Sequence, residues 1–120
     1  MISKKILGLI GLSARARKIS YGADSVEIQL KKKKVHLIIV AEDSSERTKN
    51  KFIKLCEQYN IPIMIFGKIE EISKAIGKNN KAIIGIEEIN LSNVIQKIVN
   101  NKRQEDNLNK GINNGGEVIG

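Results

Sequence analysis

Tryptophan is absent from the 120 residues, and tyrosine and phenylalanine number two each, so aromatics make up 3% of the chain. With so few rings, no aromatic platform for stacking nucleobases is expected, and the core has to be assembled from Ile, Leu and Val within a 41% hydrophobic share. The single cysteine, Cys56, excludes an intramolecular disulfide and fits a reducing compartment. One Cys and one His, His36, are too few for a structural zinc site. Proline occurs once, at Pro62. No apolar run reaches the roughly 18 residues a membrane helix needs, and the apolar N-terminal stretch is broken by Gly8 and Gly11 and followed by Arg15 and Arg17. Neither a membrane span nor a signal peptide is read from it, and a cytoplasmic location is expected.

Basic charge is what the chain has in excess. Lys and Arg total 21 against 13 acids, for a net charge of +8 and a pI of about 9.7. The excess is concentrated: residues 1–34 hold nine basic side chains (Lys4, Lys5, Arg15, Arg17, Lys18 and Lys31, Lys32, Lys33, Lys34) against Asp24 and Glu27, which accounts for +7 of the +8. A surplus serving solubility would be spread evenly, whereas a gathered one reads as a footprint for a polyanion, nucleic acid before any other. Within this region Tyr21-Gly22-Ala23-Asp24-Ser25-Val26 opens an amphipathic stretch. A helix N-terminus offers free amide donors and the positive end of a dipole, and beside clustered cations it forms a phosphate-facing surface.

The periodicity alternates between helix and strand, and 120 residues suffice for one domain. Ile2, Ile6, Leu9 and Ile10 predict a first helix ending near Ala14, with Gly8 and Gly11 allowing close approach of another element. Arg15 to Ser20 reads as short, basic and extended. A second helix starts near Gly22 and places Ala23, Val26 and Leu30 on one face; Val35 to Ala41 is a strand apolar on both sides. Asp43, Ser44 and Ser45 with Glu46 signal the start of a third helix, whose stripe is Thr48, Phe52, Leu55, Cys56 and Tyr59. Ile61 to Phe66 reads as a strand, Ile69 to Ile76 as a short helix stopped by Gly77, Lys78 to Lys81 as a polar loop and Ala82 to Ile86 as a strand. A last helix, begun by Asn90, carries Leu91, Val94, Ile95, Ile98 and Val99. Residues 1–101 thus form one α/β domain, a three-layer α/β/α sandwich around a mixed sheet of about four strands, and residues 102–120 read as a disordered polar tail.

No catalytic constellation emerges. His36 lies inside the most apolar strand and reads as a core or edge histidine, and Cys56 on the buried stripe reads as a small hydrophobe. Glu42 and Asp43 sit at a strand end, where a metal is sometimes held, but the adjacent Ser44-Ser45-Glu46 makes helix capping the better account. Gly115-Gly116 lacks the strand, helix and lysine of a phosphate loop. No metal ligands, no cofactor and no enzymatic activity are expected.

The order Arg17-Lys18-Ile19, Gly22-Ala23-Asp24, a strand ending Ala41-Glu42-Asp43, Leu55-Cys56-Glu57 with Ile61-Pro62, and Ile72 to Gly77-Lys78 before the last strand resembles the ribosomal protein L7Ae family of kink-turn RNA-binding proteins. The resemblance covers roughly residues 2–100 and points to the small, basic, ribosome-associated bacterial members. It implies a non-catalytic protein that binds structured RNA, ribosomal or otherwise kink-turn-containing, on the ribosome or beside translation factors, with no membrane and no specificity for DNA. In the family a Gly-Ala-Asn-Glu segment at the start of the second helix reads sheared G·A pairs, a lysine follows one turn later, and the loop before the last strand supports a flipped-out nucleotide. Carried over, Gly22 and Ala23 match, whereas Asp24 stands for Asn, Ser25 for Glu and Ile28 for Lys. An ionised Asp accepts but does not donate and repels phosphate. Ile28 is either an incidental surface residue or a contact to a base or protein. Arg17, Lys18, Lys31 and Lys32 are the expected phosphate contacts, and Gly77, Lys78, Asn79, Asn80, Lys81 and Ala82 form the second loop, which is otherwise a solvated turn. Two rivals stand beside this reading: a protein-interaction module on the same fold, and an enzyme using Glu42 and Asp43 with a divalent metal.

Overall fold

The computed structural model describes residues 2–113, with side chains over 4–104. Five helices alternate with four strands: α1 (Ile2–Arg15), β1 (Ile19–Tyr21), α2 (Ala23–Lys31), β2 (Leu37–Val40), α3 (Glu46–Tyr59), β3 (Ile63–Ile65), α4 (Ile69–Ala75), β4 (Ile83–Ile86) and α5 (Ile89–Asn113). They form one mixed sheet in the order β1-β4-β2-β3. β4 runs antiparallel to both neighbours, with Tyr21 opposite Ile84 and Val40 opposite Ile83, while β3 lies parallel to β2 with Ile38 opposite Ile63.

Successive strand residues point to opposite faces, so an uninterrupted apolar run serves two cores at once. In β2, Leu37 and Ile39 join Ile6 and Ile10 of α1, Ile72 of α4 and Ile95 of α5 on one face. On the other face Ile38 and Val40 join Val26 and Leu30 of α2 and Phe52 and Cys56 of α3. The result is the three-layer α/β/α sandwich expected from the alternating periodicities. Close approaches fix its packing: a Cβ at Gly11 would stand 3.1 Å from the carbonyl oxygen of Ala75, and one at Gly85 would stand 2.8 Å from Ser20 Oγ and 3.1 Å from Val35 Cγ2. Cys56 is 3% exposed, and burial pushes its thiol up to about 11.

Several boundaries differ from expectation for identifiable reasons. Ser45 alone caps α3, its Oγ accepting from Thr48 N at 3.1 Å. Asp43 instead accepts from Ile69 N at 2.8 Å and Glu42 from Gly67 N at 3.2 Å, so both acids fasten the start of α4 to the end of β2. Among the described residues no group of three or more His, Cys, Asp or Glu could hold a metal. α5 starts at Ile89 rather than Asn90, because Glu88 Oε2 accepts from Leu91 N at 2.7 Å. The same helix continues to Asn113, where residues 102–113 were expected to be disordered. Lys, Arg, Gln and Glu are good helix formers, and extending an existing helix escapes the nucleation cost. Residues 114–120, the rest of that expected tail, lie outside the described residues.

The first four helices all end in the same double hydrogen bond, a Schellman turn, with one residue in the left-handed region. α3 uses Asn60 (φ 56°) and α4 uses Gly77 (φ 70°). α1 uses Arg17 (φ 59°), with Arg17 N bonded to Ala14 O and Lys18 N to Ser13 O; α2 uses Lys33 (φ 62°), with Lys33 N bonded to Leu30 O and Lys34 N to Gln29 O. A side chain with a Cβ costs about 1–2 kcal/mol in this conformation, which glycine adopts freely and asparagine tolerates.

Two measurements test this packing. Gly85→Ala should lower stability by about 1–3 kcal/mol because β-branched Val35 cannot yield, whereas Gly8→Ala, whose Cβ meets nothing within 4 Å, should raise it by roughly 0.5–1 kcal/mol. Equal urea midpoints for the two variants would contradict the close approach at β4. Because the thiol of Cys56 is raised in the fold but titrates near 8.5 when unfolded, its contribution to stability is intact below about pH 8.5 and is lost as pH rises toward about 11. Cys56→Ala should therefore flatten the alkaline decline in unfolding free energy, and an unchanged slope between the two proteins would refute the assignment.

Candidate nucleic-acid interface

β1 ends at Tyr21 and the chain turns at once into α2 through Gly22, whose φ of 87° and ψ of 148° lie in a region only glycine enters readily. Gly22 N donates to Ile83 O at 2.9 Å, which fastens the start of α2 to the start of β4. No side chain caps α2, so its first-turn amides are left open. Ala23 is half-buried in the core; Asp24 and Ser25 are exposed. Ile28, one turn after Asp24 on the same face, is 53% exposed.

The loop before β4 is held against this helix start from the other side. Gly77 and Asn80 (φ 54°) both take left-handed conformations, and Ser73, buried on α4, accepts from Lys81 N at 2.7 Å and donates to Lys81 O at 3.3 Å. Ala82 O accepts from Ala41 N at 2.8 Å. Gly77, Lys78, Asn79 and Asn80 are exposed, Lys81 and Ala82 half-buried. Tyr21 lies between the two segments: the ammonium of Lys78 is 5.2 Å and that of Lys81 5.5 Å from its ring centre. A shallow hollow beside Lys78 is lined by two carboxylates, Asp43 and Glu70, as well as by Ser73, Lys74 and Asn80. Open helix amides and two ammonium groups thus lie at one end of the sheet, a set suited to anionic oxygens and base edges, with Asp24 the one carboxylate at the helix start.

The other sequence-predicted residues are not brought here. Lys18 O accepts from Glu87 N and His36 N donates to Ile86 O, both at 2.8 Å, so Arg17 and Lys18 and the chain leading out of Lys31 to Lys34 sit at the far end of β4. α2 points away from the Gly22 end, and its nine residues span about 14 Å. Lys31 and Lys51 both pair with Glu27 at 2.9 Å. Hydrogen bonds from these two ammonium groups, Lys51 first, hold the Glu27 carboxyl below the usual carboxylate range. Arg17, Lys18, Lys31 and Lys32 therefore do not form one site with Gly22 and Lys78, because the strand register carries them to the opposite end of β4. Tyr21 was missed by sequence reasoning; its only local signal was an aromatic immediately before Gly22.

The fold and this paired-segment site define a class, and comparison identifies it: the chain belongs to the ribosomal protein L7Ae/L30e/S12e/Gadd45 family, whose model matches residues 4–96. Among its relatives, the RNA-binding protein YlxQ of Bacillus subtilis (strain 168) is 28% identical over 88 residues, 71% of this chain and 85% of that one. The RNA-binding protein YlxQ of Enterococcus faecium is 34% identical over 83 residues, 69% of this chain and 80% of that one. A solved structure of a protein of unknown function from Bacillus halodurans C superimposes with a TM-score of 0.77 at 31% identity, covering 80% of this chain and 97% of that one. The Giardia lamblia 15.5kD RNA binding protein shares the fold, with a TM-score of 0.70 at 23% identity over 83% of this chain and 86% of that one. No helix among the described residues is long and apolar enough to cross a membrane.

Ser73→Ala should loosen the loop without unfolding the domain. Amide exchange at Lys81 should accelerate by about tenfold or more while global stability falls by about 1 kcal/mol. Unchanged exchange at Lys81 would mean that Ser73 does not organise the loop.

Proposed function

We infer that this protein binds structured RNA without catalysis, and that its partner is a kink-turn, ribosomal or in another RNA, engaged by Gly22, Ala23, Asp24, Ser25 and Ile28 on α2 and by Gly77 to Ala82 in the loop before β4. The observation that carries the reading is the juxtaposition of these two segments: Gly22 N bonded to Ile83 O, with Tyr21 flanked by Lys78 and Lys81. Membership of the family and the RNA-binding names of the YlxQ relatives support it. The reading assigns binding to residues 1–101 and gives the chain beyond them no part in it. A cytoplasmic location beside the ribosome or translation factors goes with this partner, and the free, buried Cys56 accords with it.

Asp24, Ser25 and Ile28 set the specificity. Where Asn, Glu and Lys would read sheared G·A pairs, the first offers no donor, the second a short hydroxyl and the third no charge. Titration calorimetry with an intact kink-turn and with one lacking those pairs should show discrimination below about tenfold for the wild type. The triple variant Asp24→Asn, Ser25→Glu, Ile28→Lys should gain about 1–3 kcal/mol for each good contact restored. A hundredfold preference for the intact kink-turn by the wild-type protein would refute this account of the three side chains. The 53% exposure of Ile28 favours one second reading, a protein-interaction surface on the same fold. That reading requires RNA affinity to be weak and nearly independent of salt.

A further inference from the structure

We propose that the basic turns closing α1 and α2 form a second RNA-contacting surface, separate from the Gly22 end, that grips phosphates of the duplex leaving the kink. The inference rests on the kink-turn reading above and extends it to the far end of the sheet. Arg17-Lys18 and Lys33-Lys34 occupy equivalent places in two Schellman turns. They flank the end of β4, since Lys18 and His36 are hydrogen-bonded to its two edges. Two strand spacings separate those backbones, about 10 Å.

Three observations favour a ligand over a solvated face. Among the described residues, Arg17, Lys18, Lys32, Lys33 and Lys34 form no ion pair, and all five are exposed, whereas Lys31 next to them is tied to Glu27. The helices supply an internal comparison: α3 and α4 close on Asn60 and Gly77, the residue types the left-handed position prefers, and only the two turns at this end hold a long cation there at conformational cost. Glu87, the acid just after β4, accepts from Gln29 Nε2 at 3.3 Å and pairs with none of these five cations. Helix C-terminal carbonyls attract cations, and that attraction is the competing explanation for Arg17 and Lys33. An RNA duplex is favoured over an acidic protein because the turns are rich in Lys and contain no aromatic anchor, a composition suited to phosphates and depleted from protein interfaces. The span of about 14 Å along α2 is only a few base-pair steps of a duplex, so a stem of ordinary length reaches from one end to the other.

Exchange to glycine separates the two explanations, because it keeps the turn and removes the cation. Arg17→Gly, Lys33→Gly and the double variant should melt at or above the wild-type temperature. Their binding is measured with a kink-turn RNA whose stems are cut short and with the same RNA after each stem in turn is lengthened by about ten base pairs. On the short RNA the double variant should bind as the wild type does. On one lengthened RNA it should lose roughly five- to fiftyfold in affinity, with a salt slope shallower by about 0.9 per cation removed. Lys33→Arg should retain wild-type affinity for that RNA. Equal losses on short and long RNAs overturn the proposal, as does no loss on either, the outcome expected of a solvated face or of a surface for an acidic protein. A lower melting temperature with unchanged affinity assigns the cations to helix capping instead. Failure of the wild type to bind the short RNA would sink the kink-turn reading and this one together; tight wild-type binding with an indifferent double variant sinks this one alone.

Discussion

β4 is the constraint on which both ends of the molecule depend. It is hydrogen-bonded along both edges and buried on both faces from Ile83 to Ile86, with Gly85 admitting Ser20 and Val35 where any larger residue would collide. At its start, Ile83 O holds Gly22 and Ala82 O holds Ala41; at its end, Ile86 O holds His36 and Glu87 N is bonded to Lys18. Both ends of β1 and both ends of β2, distant from β4 in sequence, are thereby set at fixed positions by backbone bonds rather than by mobile surface side chains. A shift of β4 would displace the helix start at Gly22 and the two basic turns together.

Charge follows the same geometry. Exposed cations contribute little to stability, and an isolated surface ion pair is typically worth less than about 1 kcal/mol. The pairs that are formed serve local order: Glu27 joins Lys31 of its own helix to Lys51 of α3, and Lys68 reaches Glu42 at 3.7 Å across the loops that start α3 and α4. The cations at the helix C-termini answer the negative ends of α1 and α2, while the open amides at Gly22 present the positive end of α2. One nine-residue helix thus carries opposite electrostatic ends to opposite ends of β4.

Much of the architecture was legible in local pattern. The apolar run from Val35 to Ala41 marked the strand buried on both faces, and the stripe of Phe52, Cys56 and Tyr59 marked α3, because such periodicities report burial whatever the tertiary detail. Asp43 was misread since a carboxylate just before a helix resembles a cap for that helix, yet its nearest free amide belongs to Ile69, 26 residues later. Glu88 escaped notice as the start of α5 because glutamate is not among the preferred capping residues. The polar continuation of α5 lacks an apolar stripe, so nothing periodic announced it.

By itself the sequence determined the class of fold, the concentration of positive charge in the first 34 residues, the glycine at the head of α2 and the polar loop before the last strand. Each of these is a property of neighbouring residues, carried by side-chain period, charge or backbone freedom. Only the tertiary structure decided which of them meet. Tyr21 lies against Lys78 and Lys81 because β1 pairs antiparallel with β4, and the same register carries Arg17, Lys18 and the lysine run to the opposite end of β4. Strand pairing joins residues some sixty positions apart through backbone groups that every sequence possesses, and for that reason the separation of the Gly22 helix start from the basic turns on either side of it in the chain has no signature in the order of the amino acids.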